Sequence, residues 1–166
     1  MPGIESIAQP MRTLRLSPGG IEVKTLKGDW TERSAHQAVK SWLALSTSRQ
    51  LHVRAVVAQN DAMAMGARKA LGDLTEKDRD YWLSIPYTGC DGVPKTGQEW
   101  VRRGLLTATV ITPPTALLAL EALVKAIRMG TTPPECTLNT PRSFPKLDEL
   151  SSKNPQAGSA VATRPK

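Results

Sequence analysis

The reading of the chain turns on Arg54-Ala-Val-Val-Ala-Gln-Asn-Asp61-Ala-Met-Ala-Met-Gly-Ala67, an aliphatic run, a polar pair and then a small-residue helix. Ala55 to Ala58, with Val56 and Val57 between them, is the kind of short apolar run that a parallel strand covered on both faces produces. Asn60 or Asp61 can cap the following helix, because a short side-chain oxygen satisfies one of its first unpaired backbone N–H groups. Met63, Gly66, Ala67, Ala70 and Leu71 recur at helical spacing, and Gly66 with Ala67 allows close approach to whatever that face meets. The pattern is strand, turn, helix. Its polar residues fall at the carboxyl end of a strand, where open α/β sheets bind ligands.

Working outward, Ile21 to Leu26 alternates apolar with polar residues and predicts a half-buried strand near a sheet edge. Asp29 or Thr31 can cap the next helix, which runs to about Ser46 with Ala35, Val39, Trp42 and Leu43 on its buried side. Trp30 sits in the turn before that periodicity begins. Tyr81 to Tyr87 predicts a strand leading into the turn Thr88-Gly-Cys-Asp-Gly92. Lys95 to Arg103 predicts a short helix closed by Gly104, Leu105 to Ile111 a strand, and Thr115 to Met129 a long helix with Leu117, Leu120, Val124 and Ile127 on one stripe. Pro10 to Leu16 predicts a short helix and Cys136 to Leu138 a last short strand. From residue 146 onward the composition predicts a disordered tail, 146–166.

Composition narrows the classes. The 166 residues are 40% hydrophobic and 22% charged, which suits one α/β domain with a real core. A net charge of +7 comes from basic residues spread along the chain, with no basic run, so nucleic acid is not expected as a partner. Cys90 and Cys136 are too few and too far apart for a metal motif and are read as two unpaired thiols. No segment approaches the roughly 18 apolar residues of a spanning helix, and the N-terminus lacks a secretory pattern. His36 and His52 lie away from the predicted ligand-facing turns, and Gly89, Gly92 and Gly97 have the wrong spacing for a phosphate loop. These features point away from an enzyme, and no cofactor or metal is expected.

The segment Gln59 to Ala67 resembles the corresponding strand-turn-helix of the type I periplasmic sugar-binding proteins, the ribose and galactose binders whose fold is shared by the LacI-type repressor core. The resemblance extends over roughly residues 20 to 145 and implies an open, mostly parallel sheet with helices on both faces. It implies a sugar-binding module of an ABC importer, with the effector-sensing core of a LacI-type regulator as the alternative. Four residues would carry the ligand. Trp30 would stack on the apolar face of a sugar ring, Asn60 would reach its hydroxyls, and Asp91 would accept two hydroxyl hydrogen bonds, each charge-assisted bond being worth about 1.5–3 kcal/mol. Thr112 stands where the family carries Asn or Gln.

The structural readings of the same residues are a helix cap for Asn60 and a glycine-flanked turn for Asp91. The resemblance matches only the C-terminal lobe of a two-lobed family. The expectation is therefore one lobe over residues 1–145 with the N-terminal lobe absent, and a pentose, hexose or inositol-like ligand. An ABC permease and the missing lobe are the candidate protein partners. The family implies a periplasmic location, whereas the chain as written would stay in the cytoplasm, with no membrane insertion.

Overall fold

The structure, a computed structural model, describes residues 23–153. The expected helix at Pro10 to Leu16 and residues 154–166 lie outside the described residues. Among the described residues four strands form one sheet in the order β1 (Val56–Val57), β2 (Tyr87–Asp91), β3 (Ala108–Ile111) and β4 (Arg142–Phe144). The first three are parallel, and β4 returns antiparallel to β3 with Ile111 opposite Arg142 and Thr109 opposite Phe144. The open, mostly parallel α/β sheet expected from the sequence is the fold of this chain.

α1 (Glu32–Leu43) precedes β1, α2 (Asp61–Gly72) and α3 (Glu76–Ser84) lie between β1 and β2, α4 (Gly97–Arg102) between β2 and β3, α5 (Thr115–Met129) between β3 and β4, and α6 (Leu147–Lys153) follows β4. The core lies where α2 is pressed between α1 and the sheet. Ala64, Met65, Ala67, Ala70 and Leu71 of α2 are buried there with Val39 and Trp42 of α1. Gly66 is required at this crossing, because a Cβ on it would strike the backbone carbonyl of Glu32. Trp82 of α3 is fully buried, with Trp42 edge-on at 5.9 Å and Tyr81 at 5.3 Å. Such aromatic pairs add about 0.5–1.5 kcal/mol beyond the area they bury.

β1 to β2 to β3 steps in one direction across the sheet, and right-handed crossovers in one direction set their helices on one face. Burial follows that rule: Tyr87, Gly89 and Thr109 point into the core, whereas Val57 is 80% exposed and Val110 is also open on the opposite face. The face that holds Tyr87 and Thr109 is the one on which α2 packs.

Several local readings are corrected. Val23 to Leu26 is not a strand, because alternation needs a neighbour to pair with and β1 pairs only with β2 among the described residues. Tyr81 to Ser84 belongs to α3: Tyr81, Trp82 and Ile85 share a helical face, and Pro86 ends the helix so that the strand begins at Tyr87. Cys136 to Leu138 is irregular, and the last strand lies at Arg142–Phe144. α6 occupies the beginning of the stretch expected to be a disordered tail.

Candidate functional site

At the carboxyl edge of the parallel strands, two turns and two strand ends are joined by hydrogen bonds. Thr31 caps α1, its side chain accepting from the Ser34 N–H. Trp30, just before that cap, is 62% exposed and holds a backbone φ of 70°. Asn60 caps α2, its Oδ1 accepting from the Met63 N–H at 2.7 Å. The Asn60 amide donates to the Trp30 carbonyl at 2.9 Å, so the second helix cap pins the turn that carries the tryptophan. An Asn amide has two N–H groups, which leaves one for another partner.

Asp61 begins α2 and is only 3% exposed. Its Oδ1 accepts from the Thr109 hydroxyl at 2.6 Å and its Oδ2 from the Gly92 N–H at 2.9 Å. One carboxylate thus ties the turn after β2 and the body of β3 to the start of α2. Burial, the largest influence, pushes its carboxyl above the ordinary value; the Thr109 and Gly92 donors oppose that, and the nearby Asp91 charge adds to it. Two glycines make room for it, since a Cβ on Gly89 or on Gly97 would collide with the Asp61 carboxylate. The Gln98 amide holds the same turn by donating to the Gly92 carbonyl at 2.7 Å.

Asp91 lies at the end of β2 with a φ of 100°, followed by Gly92 at 59°. Its side chain is exposed, and among the described residues no hydrogen bond to it is formed. The Thr112 N–H donates to the Asp91 carbonyl at 3.3 Å, which continues the pairing of β2 and β3 one residue past the strand and leaves the Thr112 side chain exposed. The structure therefore brings Trp30, Asn60, Asp91 and Thr112 to one edge, linked through backbone and through Asp61.

Among the described residues, the non-glycine positive φ values fall on Trp30 and Asp91. A bulky residue or a carboxylate held there carries strain of about 1–3 kcal/mol, and such strain gathers where a protein presents groups to a ligand. What sequence reasoning missed is the division of labour between Asn60 and Asp61. Asn60 caps the helix, and Asp61 braces the turn from below. The glycines at 89, 92 and 97 were its signal, since they surround one carboxylate.

Among the described residues no group of three or more His, Cys, Asp or Glu side chains could hold a metal ion, and no helix is long and apolar enough to cross a membrane. Cys90 and Cys136 are free thiols.

No protein-family model matches the chain. Solved structures do. A galactofuranose-binding protein is 26% identical, with a TM-score of 0.59 over 82% of this chain and 44% of that protein. The fructose-binding periplasmic domain of a hybrid two-component system is 23% identical, with a TM-score of 0.56 over 76% of this chain and 39% of that one. An ABC-transporter solute-binding protein from Burkholderia multivorans, solved with an unknown ligand assigned as α-D-erythrofuranose, is 17% identical, with a TM-score of 0.51 over 69% of this chain and 38% of that one. The chain has the fold of one part of these sugar- and solute-binding proteins. It spans about two fifths of the length of each.

Proposed function

We propose that this chain is the ligand-bearing lobe of a solute-binding protein for small sugars, and that it binds without catalysis. The observation that carries the reading is the coincidence of strain and chemistry: among the described residues, the two non-glycine side chains at positive φ are an exposed indole and an exposed carboxylate on the same edge. An indole offers a flat apolar surface with a polar rim, which suits the C–H face of a sugar ring. A carboxylate accepts two hydroxyl hydrogen bonds at once. The free N–H of Asn60 and the hydroxyl of Thr112 supply further polar contacts beside them.

Among sugars, furanoses are the class we favour. The galactofuranose-binding protein and the solute-binding protein with its erythrofuranose ligand are the neighbours that support this choice. Delivery to an ABC permease is the physiological role that follows, in a periplasmic setting. The two-component neighbour favours a second reading, in which the same lobe is the input of a sensor.

The test is tryptophan fluorescence of the whole chain titrated with galactofuranose, fructose, ribose and glucose. Trp42 and Trp82 are buried and Trp100 is half-buried, so Trp30 dominates any quenching by a ligand at this edge. A saturable change with the furanose-forming sugars that Trp30→Ala and Asp91→Ala each remove is expected. A folded chain that responds to none of them has a different ligand.

A further inference from the structure

β2, β3 and β4 set three residues in a row at the carboxyl edge. Asp91 pairs with Ile111, and Ile111 pairs with Arg142. Neighbouring strands lie about 4.8 Å apart, so the backbones of Asp91 and Arg142 are about 10 Å apart with β3 between them. Thr112, which follows Ile111 and keeps its side chain exposed, occupies the middle of the row. Directly opposed residues of an antiparallel pair turn to the same face, so Arg142 shares the face of Ile111. Ile111 in turn packs against Gly92, where an added Cβ would meet its Cγ1 at 2.6 Å. The entry to β4 is held in place, because the Asn139 amide donates to the Pro113 carbonyl at 2.7 Å and ties the incoming segment to the one that leaves β3. In strand order, the edge therefore presents the indole of Trp30 beside Asn60, the carboxylate of Asp91, the hydroxyl of Thr112 and the guanidinium of Arg142.

That last group is a cation without a counter-charge. Arg79 pairs with Asp80, Arg102 pairs with Glu99 and lies over the Phe144 ring, and Arg68 lies over the Tyr87 ring. Among the described residues Arg142 has no such partner, and its side chain is exposed. Asp91 is likewise exposed and forms no ion pair there. Two opposite charges thus stand on one edge without neutralising each other. A guanidinium offers parallel N–H groups to a carboxylate or a phosphate, and the net charge of +7 on the chain draws anions toward it.

We infer that Arg142 is a specificity-determining residue of the sugar site, and that the preferred ligand is a sugar bearing an anionic group, a carboxylate or a phosphate, at the end remote from the hydroxyls held by Asp91. The inference rests on the sugar-binding reading for the ring and on the register of β4 for the anion. A neutral sugar engages the row only as far as Thr112. An acidic sugar spans it: its hydroxyls donate to Asp91, the Thr112 hydroxyl donates to an anionic oxygen, and the guanidinium of Arg142 donates to the same group. Asp91 does not repel that anion strongly, because a separation of about 10 Å exceeds the screening length of about 8 Å at physiological salt.

The test is titration of the whole chain, by tryptophan fluorescence and by calorimetry, with galactose against galacturonate and with fructose against fructose 6-phosphate, at low and at high salt. Expected is an acidic sugar that binds about tenfold tighter than its neutral counterpart at low salt, with the gap narrowing at high salt. The pair that shows the gap identifies the anion. Arg142→Gln should bring the two affinities together, and Arg142→Lys should leave part of the gap. Arg103→Gln removes the same charge where α4 leads toward the start of β3, and should leave the gap whole. Equal affinities within both pairs, a preference for the neutral sugars, or a gap that survives Arg142→Gln would each overturn the inference and leave sugar binding standing. A chain that circular dichroism shows to be folded and that responds to none of the four sugars would overturn both.

Discussion

Replacing Asp91 with glycine should make the protein more stable and deaf to its ligand. Three features of the structure set the size of the gain. Asp91 holds a φ of 100°, which costs a non-glycine residue about 1–3 kcal/mol and glycine almost nothing. Glycine gives back about 0.5–1 kcal/mol through the greater freedom of the unfolded chain. The lost carboxylate is exposed, has no hydrogen bond among the described residues and repels the buried Asp61, so its removal forfeits nothing inside the lobe. The net is a gain of about 1 kcal/mol, or about 3 °C in Tm for a chain of this size. Asp91→Ala keeps the strain and loses the same contacts, so it should be less stable than Asp91→Gly by about 1 kcal/mol or more. Urea denaturation followed by far-ultraviolet circular dichroism measures the stability, and the sugar titration measures the function. A glycine variant less stable than the parent, or one that keeps the parent's titration midpoint, would refute the reasoning.

Asp61 titrates in the opposite sense from a carboxylate stabilised by its partners. Burial raises its value in the folded protein, so between the unfolded value near 3.9 and that raised value the folded state holds the extra proton. Its contribution to stability is greatest below that window, falls as pH rises through it and is level above. Urea melts from pH 4 to 8 should show the parent losing ground to Asp61→Asn as pH rises; a parent that gains on the variant would contradict the assignment. Asp61→Ala is a separate matter, because it leaves the Gly92 N–H and the Thr109 hydroxyl without their acceptor, and it should cost about 2–4 kcal/mol at neutral pH in the same melts. Gly66→Ala gains up to about 1 kcal/mol of helix propensity but forces α2 away from the Glu32 carbonyl, so it should destabilise by about 1–2 kcal/mol. A higher urea midpoint for Gly66→Ala would show that α1 and α2 are not in close contact.

The sequence announces those parts of the fold whose cause is local. The small-residue face of α2 is visible because Gly66, Ala67, Ala70 and Leu71 recur at helical spacing, and that face is the centre of the core. The carboxyl-edge position of Trp30, Asn60, Asp91 and Thr112 is legible because each follows a strand or precedes a helix. Tyr81 to Ser84 misleads, since aromatic residues suit strands and helices alike and only packing against Trp42 and α2 decides the matter. Val57 misleads for another reason: an apolar run shows that a residue tolerates burial, and not that anything covers it. The stripe on α5 is the same lesson at larger scale, since periodicity finds the stripe without saying which body it meets. The role of Asp61 depends on groups 31 and 48 residues away, at Gly92 and Thr109, and no local pattern reaches that far.

The paired crossing at Pro113 and Asn139 has a mechanical consequence. A single linker would let α5 swivel and bend freely, whereas two linkers running side by side and cross-braced resist torsion and leave bending about the line through both. Pro113 and Pro114 stiffen the outgoing linker further, because their rings fix φ. The direction in which α5 leaves the sheet is therefore set by the paired linkers and not by the helix itself.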